Sequence, residues 1–100
     1  MNTTAILHIL TKAPRSSAAD QMQQAIGEQD SVLLIEEAVS AALEPDWAVW
    51  QQYPSRIFLL SEDLAARGLA RIAAENDLPA VGMDGFVALT EQFEQSVTWY

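Results

Sequence analysis

Short apolar runs divide the first part of the chain, and each has the length of a β-strand. They are Ala5 to Leu10, Ser31 to Ile35 and Ile57 to Leu60. None of them alternates apolar with polar positions, which is typical of strands that are covered on both faces, as in a parallel sheet. About twenty residues separate the first two runs, which is enough for a helical crossover between parallel strands.

The segments between these runs predict helices. Ser16 or Ser17 can cap a helix that continues to about Ile26. Glu36 to Leu43 follows the second strand and predicts a short helix, with Val39 and Leu43 on one face because they are four residues apart.

The central stretch, Arg56 to Leu69, predicts a complete strand–helix unit. Ser61 follows the third strand at once and is a favourable N-cap, and Glu62 and Asp63 place negative charge at the positive end of the helix dipole. Gly68 can adopt the left-handed conformation that ends a helix. This unit needs the rest of the chain to cover both faces of its strand.

The last third of the chain continues the alternation. Leu69 to Asn76 predicts a helix, and Ala80 to Met83 a weak fourth strand. Asp84 can cap a final helix whose apolar face carries Phe86, Leu89, Thr90 and Phe93. Ser96 to Tyr100 is short and apolar, and either an edge strand or a docked tail fits it.

Strands that alternate with helices predict one α/β domain over residues 1–100. The expected architecture is a small Rossmann-like or flavodoxin-like domain. It has a mainly parallel sheet of four or five strands and helices on both faces.

Composition narrows the classes of function. Fourteen acidic against five basic residues give a formal charge of −9, which disfavours direct nucleic-acid binding and allows a basic protein partner. There are no cysteines, so disulfides, thiolate chemistry and cysteine–zinc sites are excluded. No apolar run is long enough for a membrane span, and the first four residues lack the charge of a signal peptide, so we expect a cytoplasmic protein.

Candidate chemistry is sparse. The glycines form no phosphate-binding motif. His8, the only histidine, lies within the first strand, where a hydrogen-bonded core or interface role is expected. Acidic residues gather after the predicted strands and could form a magnesium site, or could simply favour helix starts; these are Glu36, Glu37, Glu62, Asp63 and Asp84. The residues predict no catalytic group, cofactor or metal.

Aromatic residues form the candidate partner interface. Trp47, Trp50 and Tyr53 lie three apart, so they would share one face of a helix. Such residues are enriched at protein interfaces, but they can equally close one end of a core. The same alternatives apply to Trp99 and Tyr100.

Four groups of residues recur in a family pattern that spans nearly the whole chain. They are Leu7-His8-Ile9-Leu10 followed by Ala13-Pro14; Val32-Leu33-Leu34-Ile35 with Ala41-Ala42-Leu43; Leu59-Leu60-Ser61-Glu62-Asp63-Leu64-Ala65-Ala66-Arg67-Gly68; and Phe86-Val87-Ala88-Leu89-Thr90 with Trp99. The Glu-Asp-Leu-x-Ala-Arg-Gly piece is the most specific. Together these pieces resemble the TusB/DsrH family of small sulfur-relay subunits.

The resemblance implies a DsrE-type fold and a non-catalytic subunit of a sulfurtransferase complex. It implies assembly with TusC- or DsrF-like and TusD- or DsrE-like subunits into a heterotrimer that pairs into a heterohexamer. In the Tus branch sulfur travels as a persulfide on partner cysteines and serves 2-thiolation of the tRNA wobble uridine, whereas the Dsr branch serves sulfur oxidation. The alternatives outside this family are a stand-alone flavodoxin-like binding module and a homo-oligomeric structural protein.

The chain also departs from the pattern of the family it resembles. Met22 stands near the place where some DsrH-like members carry a cysteine, and a thioether cannot form a persulfide, so this chain is expected not to carry sulfur itself. Glu37-Ala38 replaces a frequent Asp-Gly, and a common Tyr is replaced near Gly82-Met83. No role is therefore assigned to those two loops.

Overall fold

The computed structural model describes residues 5–100. Strands and helices alternate along the chain, as the apolar pattern predicts. The elements are β1 Ile6–Leu10, α1 Ser17–Ala25, β2 Ser31–Leu34, a 3-10 helix Glu36–Leu43, α2 Ala48–Gln52, β3 Ile57–Leu60, α3 Ser61–Ala66, α4 Ala70–Glu75, β4 Ala80–Val81, α5 Met83–Gln92 and β5 Gln95–Trp99.

All five strands lie parallel in one sheet, in the order β4-β3-β2-β1-β5. The predicted parallel α/β domain with helices on both faces is therefore confirmed. β5 pairs with β1 along its whole length, which settles the choice between edge strand and docked tail in favour of an edge strand. None of the helices formed by residues 5–100 meets the length and hydropathy of a bilayer-spanning segment.

The two faces of the sheet are covered unequally because of this strand order. From β1 to β4 each new strand is added on the same side of the previous one, so right-handed crossovers place all their helices on one face. The connection from β4 to β5 runs back across the sheet, and α5 therefore covers the opposite face.

Two hydrophobic clusters follow from this arrangement. The larger one contains Leu10, Leu34 and Leu59 from the sheet, together with side chains of α1, α2 and the 3-10 helix. The smaller one, under α5, is built on Leu7, Ile9 and Leu33. Phe86 and Leu89 from the helix and Phe93, the residue that follows it, pack against this cluster. Three of the four residues predicted for the apolar face of α5 thus pack on the sheet, while Thr90 remains exposed.

The helix predicted after β2 is a 3-10 helix, and this difference changes which residues it buries. In a 3-10 helix, positions three apart lie above one another, so Ala38 stacks with Ala41 and Val39 with Ala42. All four are fully buried, and three of them are alanines. Leu43, expected beside Val39, is instead 54% exposed.

Three N-caps were predicted; one of them is confirmed and two are wrong. Ser16 caps α1 by accepting the Ala19 N–H at 3.2 Å. Ser61 is already the first residue of α3, because the strand passes directly into the helix, and its hydroxyl donates to Glu62. α5 begins at Met83, so Asp84 lies inside its first turn rather than at the cap. Gly68 has a φ of 70° and follows the C-cap of α3, so the predicted left-handed helix end is confirmed.

Candidate functional site

The edge of the sheet where the parallel strands end holds acidic side chains that bind backbone N–H groups. Asp63 Oδ2 accepts a hydrogen bond of 2.7 Å from the Glu36 N–H. Glu36 has a φ of 53°, a left-handed conformation that is uncommon for a residue with a side chain. The bond from Asp63 therefore helps to hold the strained turn between β2 and the 3-10 helix.

Glu62 fulfils a comparable role one strand further along. Its Oε2 accepts the Met83 N–H at 3.4 Å, so it caps α5 from a neighbouring element. Among residues 5–100, no three Asp, Glu or His side chains converge as metal ligands would. Asp63 and Glu62 thus bind backbone N–H groups, and the acidic residues in the first turns of the helices also interact favourably with the helix dipoles.

Replacement of Asp63 by alanine is expected to lower the free energy of unfolding by about 1–2 kcal/mol, because the Glu36 N–H loses a charged acceptor in a strained turn. Urea denaturation followed by circular dichroism measures this change. Glu37→Ala is the matched control, since Glu37 is an exposed neighbour in the same acidic group. Equal stability of the two variants would show that the Asp63–Glu36 bond does not stabilise the turn.

The most buried polar group of the described chain is a pair formed by His8 and Asp30. His8 is 1% and Asp30 5% exposed, and His8 Nε2 lies 2.8 Å from Asp30 Oδ2. Asp30 also accepts the N–H groups of Ile6, at 2.9 Å, and Gly27, at 2.8 Å. One carboxylate thereby joins the start of β1, the middle of β1 and the loop that precedes β2.

Trp99 fixes the tautomer of His8. Its indole Nε1 donates to His8 Nδ1 at 3.1 Å, and an indole nitrogen can only donate. His8 Nδ1 is therefore unprotonated, and the proton lies on Nε2, where it is donated to Asp30. The ring of His8 is thus neutral in this arrangement, and the chain Trp99–His8–Asp30 connects β5, β1 and the loop before β2.

The pKa of Asp30 lies below its ordinary value. Burial alone would raise it, but the hydrogen bonds from Gly27, His8 and Ile6 stabilise the carboxylate and outweigh the burial. The predicted role of His8 as a hydrogen-bonded core residue is confirmed. Asp30 was not predicted, because its partner becomes visible only when the register of β1 against β2 is known.

The candidate interface aromatics do not form one surface. Trp47 is only 5% exposed and belongs to the larger core, where its ring meets Trp50 edge-on at 5.9 Å. Trp50 and Tyr53 are half-buried and line a cleft of about 450 Å³ at the strand starts. Trp99 lies in β5, apart from them in the chain. A role in partner binding stays a prediction for all four residues.

Together these features define a class: a small flavodoxin-like α/β domain whose buried ionisable groups are engaged in structural hydrogen bonds. A family model described as "DsrH like protein" matches residues 12–96. Protein TusB from Escherichia coli O81 (strain ED1a) is 30% identical over 97 residues, covering 94% of this chain and 100% of that protein. Protein TusB from Escherichia coli O139:H28 (strain E24377A / ETEC) is 28% identical over 96 residues, with the same coverage.

The chain therefore belongs to the DsrH-like family, and it is similar to TusB along nearly its whole length. This confirms the resemblance drawn from the motifs. The residues that carry the motifs are largely those that build the fold: the β1 and β2 pieces are strand residues, and the Glu-Asp piece contains Glu62 and Asp63, which bind the N–H groups described above.

Met22, where the resemblance implies a cysteine in some family members, belongs to the larger core and is fully buried. A cysteine at this position is expected to react with a thiol reagent at least about a hundredfold more slowly than one at Ala25, because the buried site must open first. Ala25 is exposed on the same helix and provides the matched control. Since the chain has no other cysteine, each variant reports one site. Similar rates would show that α1 opens easily.

Proposed function

We propose that this chain is a cytoplasmic, non-catalytic subunit of a sulfur-relay complex that supports 2-thiolation of the tRNA wobble uridine. The observation that carries the proposal is its similarity to TusB over nearly the full length, in a sequence with no cysteine. Without a thiol in these residues no persulfide can form on them, so a partner subunit holds the sulfur. The expected partners are a TusC-like and a TusD-like subunit, assembled with this chain as a heterohexamer.

The buried polar network supports an accessory role. The His8 ring has both nitrogens engaged, Nδ1 with Trp99 and Nε2 with Asp30, and it is 1% exposed. It is therefore not available as a general base for a substrate at the surface. The net charge of −9 also favours a protein partner over direct contact with tRNA phosphates.

Co-expression with TusC-like and TusD-like subunits tests the assembly. We expect the three chains to elute together in size-exclusion chromatography, with a mass from light scattering that fits two copies of each. Elution of this chain alone, as a monomer, would contradict the proposed function.

The sulfur step is tested with the assembled complex. Transfer of labelled sulfur to a partner cysteine is expected only when the partner is present, and cells that lack this chain should lose 2-thiouridine from their tRNA nucleosides. Turnover of a persulfide or thiosulfonate donor by the purified chain alone would overturn the non-catalytic role. Normal tRNA thiolation together with impaired sulfur oxidation would assign the chain to the oxidative pathway instead.

A further inference from the structure

The two edges of the sheet differ in how open they are. The β4 edge has only two strand residues, Ala80–Val81, and Pro79 precedes them, so it offers little to another strand. The β5 edge has five strand residues, Gln95–Trp99, with β1 as its neighbour on one side. Residues 95–100 contain no charge and no proline, the two features that commonly protect such an edge.

The register identifies the backbone groups at the open side of β5. The Trp99 carbonyl accepts the Thr11 N–H at 3.2 Å, so Trp99 points its main-chain groups toward β1. Because these groups alternate along a parallel strand, Val97 also points inward, while Ser96 and Thr98 direct their N–H and C=O groups outward. The open edge therefore presents two donors and two acceptors at the spacing of a further strand.

The side chains along this edge favour a protein partner. Val97 is 36% and Tyr100 81% exposed, so two large apolar side chains flank the outward-facing backbone groups. Trp99 is held in place by its bonds to His8 and, through its carbonyl, to Thr11, which fixes the end of the strand. An edge held in this way loses little conformational freedom when it pairs.

The negative charge of the chain near β5 indicates what kind of partner strand would bind there. After Arg71 the chain has no Lys, Arg or His, and two acidic residues, Glu91 and Glu94, lie just before β5 in the sequence. Pairing with a second copy would bring two chains of charge −9 together, and each would contribute Glu91 and Glu94 beside the contact. A strand with basic flanking residues complements the edge instead.

We propose that β5 binds a strand of one partner subunit of the sulfur-relay complex, a strand flanked by Lys or Arg, which extends the sheet by backbone pairing at Ser96 and Thr98. This inference rests on the proposed function, because that function supplies the partner. The inference adds the surface by which this chain contacts its partner subunit.

Ser96→Pro tests the edge directly, because it removes an outward N–H without removing a bond to β1. We expect this variant to fold and to bind the co-expressed TusC-like and TusD-like subunits about tenfold more weakly or worse. Val97→Lys is the second variant, since a lysine beside the edge opposes both pairing and a basic partner. Ala74→Lys, on the exposed side of α4, adds the same charge elsewhere and should bind normally.

Amide hydrogen exchange provides a test without any substitution. The Ser96 and Thr98 amides should exchange rapidly in the isolated chain and become protected in the complex, while the Val97 amide should be protected in both. Unchanged exchange of Ser96 and Thr98 in a complex that forms normally would overturn the edge contact. So would normal binding by both Ser96→Pro and Val97→Lys.

The two proposals can fail separately. If the wild-type chain does not bind the partner subunits, the proposed function fails. If the wild type binds and the two edge variants bind equally well, only the edge contact fails. If the isolated chain is a dimer that Ser96→Pro dissociates, the edge pairs with a second copy, and the inferred partner is wrong.

Discussion

Replacement of Asp30 by alanine is expected to lower the free energy of unfolding by about 3–5 kcal/mol, because each buried donor that is left without an acceptor costs about 1–3 kcal/mol. Three donors lose their acceptor at once, namely His8 Nε2 and the N–H groups of Ile6 and Gly27. His8 is 1% exposed, so water cannot readily replace the carboxylate there. Urea denaturation of the two proteins measures the difference.

Glu28→Ala is the matched control for Asp30→Ala. Glu28 lies in the same loop and its side chain is exposed, so we expect a change within about 0.5 kcal/mol. Trp99→Phe probes the other end of the network, because it removes the donor to His8 Nδ1 together with part of the ring that packs on the larger core, and it should cost about 1–3 kcal/mol. If Asp30→Ala were no less stable than Glu28→Ala, the buried pair would not contribute to folding.

The lowered pKa of Asp30 predicts how this contribution depends on pH. The carboxyl has a lower pKa in the folded than in the unfolded chain, whose value is close to 3.8. The folded state therefore gains stability from the ionised carboxylate above that pH and loses it as the pH falls further. The stability difference between wild type and Asp30→Asn should be complete above about pH 5 and should narrow below pH 3.8. If the stability difference between wild type and Asp30→Asn stayed constant down to pH 2.5, which is on the order of one unit below the ordinary pKa of aspartate, the lowered pKa of Asp30 would be contradicted.

Much of the fold is visible in the sequence because the strands are unusually uniform. The β1, β2 and β3 runs contain almost only apolar residues, and such runs indicate burial on both faces without any need to know the partner strands. The capping role of Ser16 and the left-handed Gly68 depend on short-range contacts, so local rules suffice for them as well.

The features that the sequence did not predict depend on distant parts of the chain. Glu62 caps α5 although twenty-one residues separate it from Met83, so no rule based on neighbouring positions assigns it. Asp30 meets His8 across a similar distance in sequence, and only the parallel register of β1 and β2 brings them together. The 3-10 helix buries Val39 together with three alanines and leaves Leu43 exposed, which the spacing of Val39 and Leu43 does not reveal.

The candidate interface residues show the same difference between what local spacing predicts and what depends on distant parts of the chain. Trp47, Trp50 and Tyr53 were grouped by their spacing, but Trp47 turns into the core while the other two reach a surface cleft. Spacing alone cannot distinguish these outcomes, since both place aromatic rings on one side of a helix. The open edge of β5 became apparent only with the strand order, because a strand can be recognised from sequence without knowing whether it has one neighbour or two.

Deletion of residues 95–100 is expected to have the largest effect of all, a loss of at least about 5 kcal/mol. It removes the inward backbone bonds of β5, both bonds from Thr11 to the Trp99 carbonyl, at 3.2 and 3.0 Å, and the indole donor to His8. Each such bond contributes about 1 kcal/mol, and the half-buried Trp99 ring is lost from the core as well. Since a domain of this size is stable by roughly 5–15 kcal/mol, the shortened chain should be largely unfolded or lack fixed tertiary packing.

Deletion of Tyr100 alone is the control, because this side chain is 81% exposed and should change stability by no more than about 0.5 kcal/mol. Near-ultraviolet circular dichroism and urea denaturation distinguish the two deletions, since the longer one should lose its tertiary signal and its cooperative transition. A cooperative transition at the wild-type midpoint after removal of residues 95–100 would show that the other four strands fold without β5. The strand would then be a removable edge rather than a structural part of the sheet, and its exposed backbone groups would have to be positioned by the partner instead of by Trp99 and His8.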